Sequence, residues 1–457
     1  MLQVTNPATG ELIRELAVDT TESIHEKYAT ARAAQPTWAA LPVADRCTLL
    51  RGFKARLTER CDELADLLTS ETGKPLQQSL NELKGVHARI DFFLEHTGRT
   101  IQTAEVLPPE TNPQELLAFE PLGVIANISA WNYPYLVGVN AFIPALLTGN
   151  TVLYKPSELA SLTGLAIQEM FTEAGLPEGA FTTVIGEGQT GAELLQLPID
   201  GIYFTGSHAT GVKIAAAAAP SLMRVQLELG GKDPAFVMDD VNIPAAALAL
   251  ADGAFYNAGQ SCCAVERIYV QDRIADSFIE HFVSAARKLV LGSPTDPATT
   301  LGPLTRPAQL HVLEAQVKDA LAKGAVLQTG GQRAPGPGSF FEPTVLTKVD
   351  HTMDLMTDES FGPIIGIQVV DSDTEAVQLM NDTPFGLTAA VYSQDKDRAT
   401  RVLAQVNAGT AYWNCCDRVS PHLPWTGRGH SGQGSTLSTL GILAFVQPKG
   451  WHLKAEG

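Results

Sequence analysis

From about residue 120 onward, short uncharged apolar runs alternate with stretches of helical periodicity, and this alternation constrains the fold more than any other feature. Gly123-Val124-Ile125-Ala126-Asn127-Ile128, Thr151-Val152-Leu153-Tyr154 and Gly201-Ile202-Tyr203-Phe204-Thr205 read as buried strands, with a helix from Leu162 to Ala174 between the second and third. A second set follows: strands at Phe236–Met238, Arg267–Val270, Val326-Leu327, Thr344–Leu346 and Ile364–Val370, with helical spacing over Ile274–Leu291. Strand–helix–strand order of this kind builds parallel sheet from βαβ units. Residues 20 to 100 instead carry apolar positions three and four apart, through Leu49, Leu50, Leu57, Leu64 and Leu68, and read as helices. A chain of 457 residues exceeds one ordinary core, so two or three domains are expected. No internal repeat or low-complexity linker interrupts it, and the alanine run Ala215–Ala219 reads as a helix packed close to a sheet.

The net charge of −18 repels nucleic acid and anionic membrane surfaces, and no basic run reverses it. Six cysteines occur as Cys47, Cys61 and the adjacent pairs Cys262-Cys263 and Cys415-Cys416, a pattern that suits a reducing compartment better than a disulfide scaffold. The start of the chain shows no secretory signal pattern, so a cytoplasmic location is expected. The uncharged stretch Tyr133–Tyr154 could suggest a membrane span. Pro134, Gly138, Asn140, Pro144, Gly149 and Asn150 make a buried helix, turn and strand the better expectation.

Five places carry residues suited to chemistry. Phe204-Thr205-Gly206-Ser207, with Gly211 beyond, ends a strand and opens a helix whose free N–H groups could receive a phosphate. The spacing is not that of the common dinucleotide fingerprint, and an ordinary strand–helix turn explains it equally well. Glu228, between leucines and ahead of Gly230-Gly231, is a candidate general base, or a buried glutamate paired with a cation. Asn257-Ala258-Gly259-Gln260-Ser261-Cys262-Cys263 places thiols after a tight glycine turn, where a lowered pKa would make a nucleophile. Two small buried hydrophobes would look the same. Trp131-Asn132-Tyr133-Pro134 offers an uncharged amide for an oxyanion, or a turn asparagine. Lys155-Pro156-Ser157-Glu158 could hold ribose hydroxyls or be a solvated strand end.

Taken together and in this order, these segments closely resemble the aldehyde dehydrogenase superfamily, from Asn6-Pro7-Ala8-Thr9-Gly10-Glu11 to Phe445. Leu227-Glu228-Leu229-Gly230-Gly231-Lys232 and Gly259-Gln260-Ser261-Cys262 match its two active-site signatures. Glu359-Ser360-Phe361-Gly362-Pro363 and Asn381-Asp382-Thr383-Pro384-Phe385-Gly386-Leu387 match two further blocks. The resemblance implies an α/β fold with a Rossmann-like dinucleotide-binding domain (1–102 and 122–229), an α/β catalytic domain (230–443) and a small β oligomerisation element (103–121 and 444–457). It implies a homodimer or homotetramer and no metal.

By the same resemblance Cys262 attacks a small aldehyde, Asn132 and the Cys262 N–H hold the oxyanion, and Glu228 activates the water that releases the acid. A glutamate at 228 argues for a free acid rather than a coenzyme A ester. For the dinucleotide, Lys155, Ser157 and Glu158 would meet the adenosine ribose, and Gly206, Ser207 and Gly211 the pyrophosphate. Glu359, Phe361, Trp131 and Leu229 would border the nicotinamide end. The Glu158 carboxylate favours NAD, with NADP as the alternative, because it repels a 2′-phosphate. Tyr133, Val137, Ser261, Cys263, Arg418 and Val419 are expected to shape a mostly apolar substrate tunnel. Arg418 could receive the carboxylate of a semialdehyde, although an ordinary ion pair is the commoner fate of such an arginine. The block Pro424-Trp425-Thr426-Gly427-Arg428-Gly429-His430-Ser431-Gly432 departs from many relatives, which leaves substrate identity open between a general aldehyde and a particular semialdehyde. A catalytically idle relative is the remote alternative, opposed by the joint presence of Cys262, Glu228 and Asn132.

Overall fold

The computed structural model describes residues 1–455, so the last two residues of the expected 444–457 segment lie outside the described residues. Two parallel sheets organise the molecule. The first has six strands in the order Gly432–Gln433, Arg224–Glu228, Gly201–Thr205, Val124–Ile128, Thr151–Lys155, Phe181–Thr183, parallel except for the first pair. Chain order runs outward in both directions from Val124–Ile128. The sheet therefore has a switch point between that strand and Gly201–Thr205, where the loops after the strands diverge and leave a crevice. Trp131-Asn132 follows one of these strands and Gly206-Ser207 the other.

The second sheet has seven strands, in the order Val326–Thr329, Thr344–Thr347, Ile364–Val370, Arg267–Gln271, Pro234–Val237, Thr388–Tyr392, Thr410–Trp413. All neighbours are parallel except the first pair. Its central strands are buried on both faces, which is why they read as unbroken apolar runs rather than alternating ones.

The N-terminal helical region forms helices Thr21–Ala40, Val43–Glu59, Cys61–Thr72 and Leu76–Thr100. Leu50, Phe53, Leu57, Leu64 and Leu68 enter a single core with Phe142, Phe171 and Phe181. The uncharged stretch at 133–154 is a buried helix, Pro134–Leu147, a turn and the strand Thr151–Lys155. Asn150 makes the turn work by accepting from Gly123 N–H (2.8 Å) and donating to the Phe445 carbonyl (2.9 Å). Among the described residues no helix is long and apolar enough to cross a membrane.

Ala104–Glu105, Gln114–Pro121 and Val446–Leu453 pair with each other in a separate antiparallel sheet of three strands. The chain returns to the first sheet earlier than the expected boundary at 443. Gly432–Gln433 pairs with Leu227 and Glu228, because Gly432 is pressed against the Leu227 carbonyl with φ at +125°.

A buried ion pair ties these helices to the site. Lys74 and Glu82, both essentially inaccessible, bond to each other. Glu82 also accepts from the N–H groups of Tyr135 (2.9 Å) and Leu136 (3.3 Å) at the start of helix Pro134–Leu147. Lys74 lies over the Tyr133 ring at 3.9 Å. Removing one partner leaves an uncompensated buried charge, so Glu82→Ala is expected to cost about 3–5 kcal/mol in urea unfolding. A loss under about 1 kcal/mol would show that the pair is solvated in solution.

Candidate active site

Helix Ile243–Phe255 ends in a left-handed turn, with φ of +52° at Asn257, +56° at Ala258 and +70° at Gly259. Gly259 is required there because a Cβ would run into the Gly362 carbonyl. The turn is clamped from several sides. Gln78 accepts from Asn257 N–H (3.0 Å), the Asn257 amide donates to the carbonyls of Asn132 (3.3 Å) and Gln260 (3.1 Å), and Gln260 accepts from Thr305 N–H (2.9 Å). A strained turn held this firmly presents Ser261, Cys262 and Cys263 in a fixed direction.

The two thiols differ. Cys263 is buried, and its Sγ donates to Asp417 Oδ1 (3.0 Å), the same oxygen that accepts from the Ser261 hydroxyl (2.9 Å). A hydrogen bond with Cys262, burial and the Asp417 charge push the Cys263 thiol well above its ordinary value. Cys262 is only half-buried and borders a cavity of about 770 Å³.

Glu228, at the end of strand Arg224–Glu228, borders the same cavity. Its carboxylate accepts from the hydroxyls of Thr436 and Thr205 (3.3 Å to the latter). Burial pushes its pKa up, against the pull of the Thr436 hydroxyl, the Arg89 charge and the Thr205 hydroxyl. Asn132 is buried beside the thiol turn and donates one amide hydrogen to the Gln260 carbonyl (3.0 Å), while its neighbour Tyr133, and not Asn132 itself, lines the cavity. The Cys262 N–H meets no acceptor among the described residues.

Several of the remaining expected residues lie at or just beyond the strand ends of the first sheet. Gly206 N–H donates to the Glu228 carbonyl (3.0 Å), joining the glycine turn to the end of strand Arg224–Glu228. Ser207 caps helix His208–Ala218 by accepting from Thr210 N–H (3.4 Å). Gly211 and Leu229 pack together, since a Cβ at 211 would lie 2.7 Å from the Leu229 side chain. Lys155 ends its strand with its pKa lowered by burial and Nζ on the Pro156 carbonyl (3.2 Å). Ser157 caps the short turn Glu158–Ala160 and reaches Glu158 Oε2 at 3.4 Å.

Across the crevice Glu359 accepts from Gly231 N–H (3.1 Å), and burial, with Glu266 nearby, raises its pKa to about 7. A Cβ at Gly230 would collide with the Glu359 carboxylate, so Gly230 is needed for these two motif blocks to meet. Phe361, at φ +47°, meets Trp131 edge-on with centroids 5.6 Å apart. Glu266, to which no motif points, organises this wall by accepting from Lys232 Nζ (2.7 Å), Ser360 N–H (2.8 Å) and Phe361 N–H (3.0 Å).

The model of the aldehyde dehydrogenase family matches residues 1–450. This chain belongs to the aldehyde dehydrogenase family. A succinate-semialdehyde dehydrogenase [NADP(+)] of Deinococcus radiodurans is 36% identical, covering 97% of this chain and 93% of the relative. A betaine aldehyde dehydrogenase of Cereibacter sphaeroides is 36% identical over 98% of this chain and 92% of its own. Among solved structures, lactaldehyde dehydrogenase from Escherichia coli superposes with a TM-score of 0.96 at 33% identity, covering 99% of this chain and 95% of that one. The enzyme is thus an NAD(P)-dependent aldehyde dehydrogenase with a Rossmann-like dinucleotide-binding domain and a catalytic domain.

In this aldehyde dehydrogenase Tyr133, Val137, Ser261, Cys263, Arg418 and Val419 all border the cavity that holds Cys262. The cavity is mostly apolar, as expected, with Glu82, Arg89, Asp252 and Asp417 adding charged groups to its wall. Sequence could not flag these residues: Glu82 and Arg89 lie in an ordinary helical pattern, and Asp417 matters only through its contact with Ser261 and Cys263. Arg418 forms none of the ion pairs weighed for it among the described residues. Its side chain is exposed at the cavity, and only its carbonyl is engaged, by the Tyr412 hydroxyl.

Proposed function

We propose that the enzyme oxidises its aldehyde through a covalent adduct on Cys262 and releases the free acid. The observation that carries this reading is the shared cavity, with the half-buried Cys262 thiol and the buried Glu228 carboxylate on its wall and the Asn132 amide tied next to the thiol turn. Cys262 Sγ adds to the aldehyde carbon, and the resulting oxyanion takes hydrogen bonds from the free Asn132 amide hydrogen and the Cys262 N–H. Bound dinucleotide supplies the hydride acceptor, leaving a thioester on the sulfur. Glu228 then removes a proton from water as the water oxygen bonds to the thioester carbon. The C–S bond breaks and the acid departs.

The glycine turns at 206 and 230, the capped helix at Ser207 and the buried carboxylate of Glu359 suit a dinucleotide, held at the adenosine end by Lys155, Ser157 and Glu158. Glu158 favours NAD. Rapid mixing with a panel of aldehydes and either cofactor tests the scheme, with acyl-enzyme mass located on the peptide carrying Cys262. Turnover with no acyl adduct on that peptide would sink it. Asn132→Ala is expected to lower kcat about 10²–10³-fold with KM little changed.

Arg418 supports a substrate with a terminal carboxylate, since an exposed, unpaired guanidinium borders the cavity. Arg418→Ala should lower kcat/KM for succinic semialdehyde by about tenfold or more relative to an uncharged aldehyde of equal length. An unchanged ratio, or better turnover of an aminoaldehyde, would refute this role. The three-stranded sheet, with Trp451 and Leu453 exposed, supports a homodimer or homotetramer, which light scattering would refute by finding a monomer. Six free cysteines support a cytoplasmic location, and fractionation that recovers the protein elsewhere would refute that.

A further inference from the structure

Arg89 projects from helix Leu76–Thr100 onto the wall of the catalytic cavity and is 7% exposed. Its Nη1 donates to the Leu136 carbonyl (2.8 Å) and to Asn140 Oδ1 (2.9 Å), which fixes the guanidinium against helix Pro134–Leu147. Among the described residues nothing accepts from Nε or Nη2, and no carboxylate forms an ion pair with it. Three other buried cations are treated differently, whereas Arg46 and Lys155, bonded only to carbonyls, also lack a carboxylate. Lys74 is paired with Glu82, Lys232 with Glu266, and Arg267 donates from all three of its nitrogens. A guanidinium taken out of water with donors unused is costly unless those donors serve something in the cavity.

The same cavity holds a complementary gap. Glu228 receives only neutral hydroxyls, from Thr205 and Thr436, and has no cation in contact. The other carboxylates facing this space are Glu82, already paired with Lys74, Asp417, engaged by Ser261 and Cys263, and the exposed Asp252. Arg418 is the second cation, and it is exposed where Arg89 is buried. The remaining titratable groups on this wall are the thiols of Cys262, Cys263, Cys415 and Cys416 and the phenols of Tyr133, Tyr256 and Tyr392. Charges held out of water act on each other over longer distances than solvated ones, so a buried guanidinium and a buried carboxylate on the wall of one cavity are coupled without touching.

We propose that Arg89 is a positioning residue for the hydrolytic half of the reaction, acting as the fixed countercharge that keeps Glu228 ionised. The inference rests on the covalent mechanism above. Arg89 neither gains nor loses a proton. The water proton goes to Glu228, the new C–O bond forms as the C–S bond breaks, and the Cys262 thiolate is the leaving group.

The test is the single-turnover decay of acyl-Cys262 in the holoenzyme, followed by rapid quench and mass measurement from about pH 5.5 to 9, with an uncharged aldehyde. Arg89→Met should form the adduct normally, lose it about tenfold more slowly near neutral pH, and recover towards the wild-type rate at high pH. Its acid limb should move up by about one pH unit. Arg89→Lys, which keeps the charge, should keep the wild-type limb. Equal slowing at every pH, with the limb unmoved, would reduce Arg89 to a structural role. An effect confined to KM for anionic aldehydes would make it a substrate anchor. Either result overturns the proposal. Arg89→Gln, which keeps a donor towards Asn140, is read the same way if Arg89→Met does not fold. Failure of the wild type to carry any acyl group on Cys262 would instead overturn the covalent reading itself.

Discussion

Cys262→Ser is expected to lower aldehyde oxidation by roughly 10⁴-fold or more, measured as NADH absorbance under saturating aldehyde and cofactor. A serine hydroxyl has almost no alkoxide at neutral pH, and the cavity shows no base in contact with residue 262 that would generate one. Its neighbour cannot take over. Cys263 is buried, its hydrogen is committed to Asp417, and its thiol is pushed well above the ordinary value by Cys262, by burial and by that carboxylate. Cys263→Ala therefore serves as the control and should retain activity within about tenfold, the range of a packing change. If the effects of the two substitutions were exchanged, the nucleophile would have been assigned to the wrong sulfur.

Glu228→Gln should separate the two halves of the reaction. Adduct formation and hydride loss do not call on the Glu228 carboxylate, so one NADH per site should still appear on mixing. Steady-state turnover should fall about 10²–10⁴-fold, and acyl-enzyme should accumulate. Glutamine suits the site, because the Thr205 and Thr436 hydroxyls can turn to accept as readily as to donate. In the wild type, burial raises the Glu228 pKa, and the base works only when deprotonated. Hydrolysis should therefore be complete above the raised value and fall away as pH drops through it, at a higher pH than a solvated glutamate would give. A variant that turns over normally would remove Glu228 from the mechanism. One that also loses the first NADH would move it to the acylation step.

How legible the site was depended on whether its parts communicate through the chain or through space. The thiol turn shows itself in sequence because Gly259 has to accept a left-handed backbone next to Gly362, and few residues other than glycine can. Gly230 is similar, since it clears the way for Glu359, although its partner lies far along the chain. The countercharges do not show themselves. Glu266, Asp417 and Arg89 are common residues at unremarkable spacings, and their importance comes only from the groups that folding places against them. Arg418 makes the same point in the other direction, because an arginine in a polar loop usually finds a carboxylate and this one does not.

By itself the amino-acid order was enough for the alternation of strands and helices, the glycines at the two tight approaches and the set of reactive side chains. Each of these follows from local periodicity, backbone sterics or the chemistry of one residue. Only the tertiary structure decided which of two adjacent thiols stays accessible, which charges are compensated and how polar the cavity is. Those properties are fixed by burial and by contacts between distant segments, such as Thr436 on Glu228, 208 residues apart, and Asp417 on Cys263, 154 apart, and no spacing rule encodes them.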